Sequence, residues 1–422
     1  MIKPNKHSLA VFLIFSAAAV SVLLIGLNTV YQPNELSWTS WGFYEWLINY
    51  QAGFVRRGLI GELIHQLFFN AEVKAMNYLA FLLGVLYVGF FTHLILAKRA
   101  LRSAGLLLVF APTGYVWMAI ANEYYFRKEM LFYIAILSVA SAYRHWQEWP
   151  TKGMALLVLG LISLFSLVLP FVHEAYVFFC GLIFYLIIQR LTTVEYGGRQ
   201  AQLLTRLFIA VNILLFLLMS AFKGNVQISQ SIWTSLSATA RHFSANDQIS
   251  GGIASISWSL LGGIAMPVQA VLSGMGSYYL LPLAWVFIIT GYLFAELNGK
   301  NLGAAYSDPV FIANFMLVFA TFLALFILGW DWGRWVVGIF VVLTVMIYSD
   351  LLIAPNPQQL PVLQAFLQKN ARTLFVCAVL LFAVVTKTPE CCISGSGDTL
   401  LNNKLVKLAI AEFKQLKNAE GK

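Results

Sequence analysis

The chain has 422 residues, of which 60% are hydrophobic and only 11% charged, with a formal net charge of +9. Globular domains carry about 25% charged residues, so this composition excludes a water-soluble domain with an ordinary surface. Apolar stretches recur, each long enough to cross about 30 Å of hydrocarbon as a helix. Alternating strand-length segments are absent, which argues against a barrel.

The basic excess is read as loop bias that orients helices, not as a nucleic-acid surface. About eleven spans are expected, with ten to twelve as the range. They fall near 9–30, 76–97, 105–122, 130–144, 154–171, 174–190, 207–222, 277–296, 310–329, 336–353 and 372–387. The first run, Leu9 to Val30, is longer than a signal peptide's apolar region and lacks a clear small-residue cleavage site, so a retained helix is expected. The predicted fold is all-α: a polytopic transmembrane helix bundle forming one domain over 1–390.

Lys3 and Lys6 precede the first span and place the N-terminus in the cytoplasm. Lys98, Arg99, Arg102, Arg144, Lys152, Arg190, Arg199 and Arg206 then share that side in one registration. The opposite face holds an interfacial segment, 31–75, rich in tryptophan and tyrosine, and a loop over 223–276. Within that loop 253–273 is apolar but Gly/Ser-rich and contains Pro267. It is expected to enter and leave on one side, with a twelfth crossing as the alternative. That choice puts the tail on the outer side, against its charge bias. The tail, 391–422, has Leu401, Leu405, Leu408, Phe413 and Leu416 on one helical face and four lysines on the other. An amphipathic helix lying on a membrane surface is predicted.

Charged residues on the outer face are not explained by topology, and charge at a membrane boundary is a functional-site hypothesis. In "GFVRRGLIGEL", Arg56 and Arg57 lie side by side between glycines at 53, 58 and 61. Two guanidiniums can grip an anion with paired hydrogen bonds, phosphate above all. Contact with lipid headgroups is the plainer alternative. In "ANEYYFRKEML", Arg127 and Lys128 stand at a helix start, a poor place for cations in dipole terms. Either they face the same anion, or Glu123 and Glu129 neutralise them. In "LPFVHEAYVF", His173 and Glu174 lie between two spans with almost no polar loop. Either could act as a general base, and the plainer alternative is a satisfied interfacial histidine. In "GWDWGRW", Asp331 and Arg334 stand at i,i+3 spacing beside tryptophans, which can stack on sugar rings. A local ion pair is the alternative.

The four cysteines carry no metal or redox spacing, and no nucleotide-binding loop or hydrolase motif is present. No cofactor and no metal are expected.

With "RKE", "HE" and "DWGRW" following "GFVRRGLIGEL" after later spans, the chain resembles the Wzy and EpsG-like bacterial polysaccharide polymerases. The resemblance covers most of the chain by topology and only short stretches by motif. It implies a glycosyltransferase of the inner (cytoplasmic) membrane, acting at its outer face on glycan units carried by undecaprenyl pyrophosphate. Lipids and other polysaccharide-export proteins would be its partners. The resemblance implies pyrophosphate binding by Arg56, Arg57, Arg127 and Lys128, a base at His173 or Glu174, and glycan positioning by Asp331, Trp332 and Arg334. Such polymerases commonly have one large outer loop, and the loop here is modest and apolar. A polyprenyl-phosphate-sugar transferase of the GT-C type is therefore an alternative, with Glu45 or Glu62 as the acidic residue of the first outer loop. A transporter or flippase of a lipid-linked or anionic substrate is the third reading.

Overall fold

A computed structural model describes residues 6–31, 40–69, 71–97, 127–236, 251–272, 277–329 and 331–353. Every regular element among them is helical. They are α1 (Lys6–Tyr31), α2 (Ser40–Trp46), α3 (Leu59–Leu67), α4 (Glu72–Ala97), α5 (Glu129–Glu148), α6 (Lys152–Val172) and α7 (Tyr176–Tyr196). There follow α8 (Gly198–Ala221), α9 (Val226–Ser235), a 3-10 turn (Ala254–Ser257), α10 (Leu260–Leu272), α11 (Ser277–Asn298), α12 (Leu302–Tyr306), α13 (Pro309–Leu328) and α14 (Trp332–Tyr348). Five of these, α4, α6, α7, α8 and α13, are long and apolar enough to cross a membrane. The expected spans at 105–122 and 372–387, the tail 391–422, Glu123, and the charged residues Arg241, His242 and Asp247 of the expected outer-face loop 223–276 lie outside the described residues.

Local chemistry sets the helix starts. Thr151 accepts from the Met154 amide and Asn225 from the Ile228 amide, each satisfying an otherwise orphaned donor. Asp308 does the same for Val310, and Pro309 follows at the first helical position.

The bundle is built around α14. Every residue from Trp332 to Tyr348 is buried, against α11, α13, α5 and α7. A helix apolar all round must sit inside a core. By contrast α8 lies at the rim, with Leu203, Leu207, Leu214 and Leu217 exposed. Exposed leucines in such number suit lipid contact rather than water.

Two clusters mark the ends of the bundle. At one end Arg144 near the end of α5 donates to Asp350, just past α14, at 2.7 Å. Arg190 of α7 donates to the Leu352 carbonyl at 2.9 Å. Asn314, in the early turns of α13, is bonded to Ile353 in both directions, at 2.7 and 2.9 Å. The other end gathers the starts of α5, α7 and α14. So α5, α7 and α14 run parallel, and α6 and α13 run against them. By the same alternation α8 ends, and α11 begins, at this second end. The Phe222 carbonyl there accepts from the Arg56 amide at 2.9 Å. Between α8 and α11, α10 has only 13 residues, about 20 Å at 1.5 Å per residue, too short to cross alone.

Two helix boundaries differ from the sequence expectation. The last described helix, expected as a span from near 336, begins at Trp332. Arg334 is therefore a buried helical residue and not a loop residue. The 31–75 segment is not one loop but carries α2 and α3.

Candidate functional site

The site forms where four separated stretches meet. The turn after α2 supplies Arg56 and Arg57, and α2 itself supplies Glu45. The entry to α5 supplies Arg127, Lys128 and Glu129. The α6–α7 corner supplies His173 and Glu174. The start of α14 supplies Asp331 and Arg334.

The arginine turn is rigidly held. Glu62 on α3 accepts from the Tyr50 amide at 2.8 Å and from the Gln51 side chain at 3.0 Å. Asn49 donates to Ser235 of α9 at 3.0 Å. Gly61 of α3 packs directly on backbone: a Cβ there would lie 2.0 Å from the Ile48 carbonyl oxygen. Arg57 itself sits in the left-handed region, at φ 67°. That conformation is uncommon for a residue with a Cβ and needs support from its surroundings. Lys128 supplies it. Its Nζ donates to the Arg57 carbonyl at 2.8 Å and to the Val172 carbonyl at 3.3 Å. Its side chain is fully buried and lies over the Trp46 ring, 5.9 Å from the centroid.

Glu174 closes the arginine fork. Its Oε1 accepts from Arg56 Nη1 at 3.0 Å and from Arg57 Nη2 at 2.5 Å, while Oε2 accepts from Arg57 Nε at 2.9 Å. Glu45 lies deeper, 3.7 Å from Arg57 and 3.9 Å from Arg127. Arg334 donates to Glu129 at 2.6 Å and pairs with Asp331 one turn away. Among the described residues, five cations thus face four carboxylates and one histidine in a largely buried cluster. Placing charge in so apolar a bundle requires such pairing.

Burial by itself would raise the Glu45 carboxyl, but Arg334, Arg127 and Arg57 outweigh it and bring the pKa to about 2. Burial likewise opposes ionisation of Glu174, and Arg57 overrides it, so this carboxylate lies well below the ordinary range. Burial lowers Lys128 to about 7. Burial, reinforced by the Arg57 charge, lowers His173 to about 3. His173 is therefore neutral near pH 7. Its Nδ1 accepts from the Ala175 amide at 3.0 Å, which puts the imidazole proton on Nε2. In this tautomer the free ring nitrogen is a hydrogen-bond donor.

Arg56, Arg57, Arg127, Lys128, Glu129, His173, Glu174, Asp331 and Arg334 gather here, and Lys128, Trp332 and Glu129 make contacts that the sequence did not suggest. Lys128 turns its ammonium to two carbonyls and braces the arginine turn rather than presenting itself to a ligand. Trp332 is buried, and its indole donates to the Phe326 and Gly329 carbonyls at 3.0 and 3.1 Å. It closes the end of α13 and offers no open face for a sugar ring. Glu129 bonds Arg334, far away in sequence, while its charge also acts on its neighbour Lys128. Of the two acidic candidates in the first loop, Glu45 joins the cluster and Glu62 does not. Gly42 also belongs to the site: a Cβ there would lie 3.0 Å from Arg127 Cδ. The signal for Glu45 was faint, one acid in an aromatic stretch, and Gly42 had none.

Several oxygens are buried without a hydrogen bond, among them Glu45 Oε2 and Glu129 Oε2. A charged oxygen left open in such a place is costly unless something comes to it. The arrangement can hold an anion on guanidiniums and accept a proton on a carboxylate beside them. Among the described residues, no group of three or more His, Cys, Asp or Glu side chains is placed to hold a metal.

The fold and site define an all-helical bundle of membrane-spanning character with a buried ion-pair network at one end. No family model, curated protein or solved structure matches the chain.

Proposed function

We propose that the chain is a glycosyltransferase of the bacterial inner membrane, polymerising glycan units carried on undecaprenyl pyrophosphate at the outer face. In this reading the site end of the bundle faces outward and the Arg144–Asp350 end faces the cytoplasm. The observation that supports it most is the convergence of Arg57, Arg127 and Arg334 around Glu45, whose Oε2 is buried without a hydrogen bond. Guanidiniums there would stabilise the pyrophosphate as the anomeric carbon–oxygen bond breaks, electrostatic help at its strongest in a water-poor pocket. The acceptor hydroxyl oxygen would attack the anomeric carbon and pass its proton to Glu45 Oε2, whose basicity rises once the bound pyrophosphate neutralises the guanidiniums that hold its pKa down. His173 would donate from Nε2 to a departing or glycan oxygen. Asp331 and Arg334 would position the acceptor glycan.

A second reading is the polyprenyl-phosphate-sugar transferase of the GT-C type. The entry of Glu45, an acid from the first loop, into the cluster favours it. It requires transfer of single sugars rather than polymer growth.

Glycan length in the native host separates these readings. Arg57→Ala and Glu45→Gln are compared with wild type at equal membrane abundance. Accumulation of single lipid-linked repeats with loss of long polymer supports the polymerase. Polymer of normal length lacking one sugar substituent supports the second reading. Unchanged glycan in both variants rejects sugar transfer.

A further inference from the structure

Glu174 is held as a small anion would be held. One guanidinium grips it through Nε and Nη2 and the neighbouring one adds Nη1, at 2.9, 2.5 and 3.0 Å. The same fork geometry is what arginine offers to a phosphoryl group. The fork is braced from outside: Lys128 holds the Arg57 carbonyl, and the Arg56 amide is tied to Phe222. Glu174 belongs to the short corner between α6 and α7. Its side chain is 12% exposed and that of Arg56 20%, whereas Glu45 and Arg127 are at 3% and 7%. The Arg56–Glu174 edge is therefore more open than the Glu45–Arg127 pair behind it. Arg56 also keeps a buried Nε with no hydrogen-bond partner. A carboxylate leaves this donor unused, and a phosphoryl group has a further oxygen to offer.

We propose that Glu174 occupies the seat of the substrate's phosphoryl group, and that a phosphate or pyrophosphate ester binds by exchanging with it on Arg56 and Arg57. This rests on the assignment of those arginines to a phosphorylated substrate. A dianion outcompetes a monoanion on two guanidiniums, and the displaced carboxylate turns to the open edge beside His173, 3.6 Å away. Buried ion pairs add little net stability, because desolvation offsets attraction. Release of Glu174 is therefore affordable within the fold. The exchange makes the empty site selective: weak anions do not dislodge the resident carboxylate.

The test is calorimetric binding of inorganic pyrophosphate to the full chain in lipid nanodiscs. Glu174→Gln should bind about tenfold or more tighter than wild type, the order expected when one charged competitor is removed. Glu174→Asp, too short to span the fork, should also tighten binding. Arg57→Ala should abolish it. Equal or weaker binding by both Glu174 variants, with melting close to wild type, overturns the exchange. So does absence of pyrophosphate binding in every form. Should pyrophosphate bind as described while glycan is unchanged in Arg57→Ala, the seat stands and sugar transfer falls. Should glycan depend on Arg57 while Glu174→Gln and Glu174→Asp bind no tighter, sugar transfer stands and the exchange falls.

Discussion

Arg334 and Glu129, 205 positions apart in the chain, meet at 2.6 Å with both side chains only 5% exposed. The bond joins the start of the central helix α14 to the start of α5. It explains how an otherwise apolar helix carries a guanidinium into the core. Removing Arg334 leaves Glu129 charged and buried, at a cost of about 3–5 kcal/mol, whereas removing Glu129 leaves Arg334 its pair with Asp331 and costs less. Glu129→Gln and Arg334→Gln should each lower the thermal midpoint of the full chain in a fixed detergent. The double variant should lose less than the two single losses added together. Strictly additive losses would mean the pair is not coupled.

Two glycines flanking the arginine turn, Gly42 of α2 and Gly61 of α3, should separate fold from site. A methyl group at Gly61 meets backbone oxygen at 2.0 Å, which no rotamer change relieves. Overpacking of this kind typically costs about 1–3 kcal/mol, sometimes more. Gly61→Ala is expected to melt early and lose the α2–α3 turn. At Gly42 the nearest atoms, 3.0 and 3.1 Å away, belong to the Arg127 side chain, which can move. Gly42→Ala should melt near wild type yet bind pyrophosphate more weakly. Equal melting of the two variants would refute this division.

Lys128 and His173 both titrate lower in the fold than in the open chain. Between about 7 and 10.5 for Lys128, the unfolded chain binds more protons than the folded one, so stability rises with pH across that window. His173 contributes in the same direction between about 3 and 6.5. The melting temperature should therefore climb from pH 5 to pH 9. Lys128→Met removes the titrating group and should flatten the portion above pH 7. A slope there identical to wild type would show that Lys128 is not the group responsible. The neutral amine still has two protons for the Arg57 and Val172 carbonyls, so the brace survives deprotonation.

His173 should behave as a donor. His173→Gln keeps an N–H that can reach a ligand oxygen, and His173→Leu does not. In the sugar-transfer assay the glutamine variant should retain much of the activity and the leucine variant little. The pH profile of kcat/KM should show no histidine limb between pH 5.5 and 7.5. Equal loss in both variants together with such a limb would restore the base role.

The helical, membrane-type character of the chain was legible in its residues, because apolar runs of spanning length have one physical solution, a helix with every backbone bond internal. The charges at Arg56, Arg57, Arg127, His173, Glu174 and Arg334 were legible as site candidates for a related reason. A charge near an apolar span is expensive, so it marks a place where something must hold it. What those charges touch was not legible. Sequence neighbours suggested that Glu129 neutralises Arg127 and Lys128 and that Trp332 faces a sugar. Packing also brings Glu129 to Arg334, and it turns the Trp332 indole to the end of α13. Glu45, one acid among aromatics, gained its place only because α2 folds back under the arginine turn.

The sequence by itself therefore determined the class of element and the inventory of charge, since both follow from local hydrophobicity and its period. Only the tertiary structure decided the pairing, the tautomer of His173, the bracing role of Lys128 and the resident anion on Arg56 and Arg57. Those depend on which helix ends meet, a long-range property that follows from α14 running buried between α5, α7, α11 and α13.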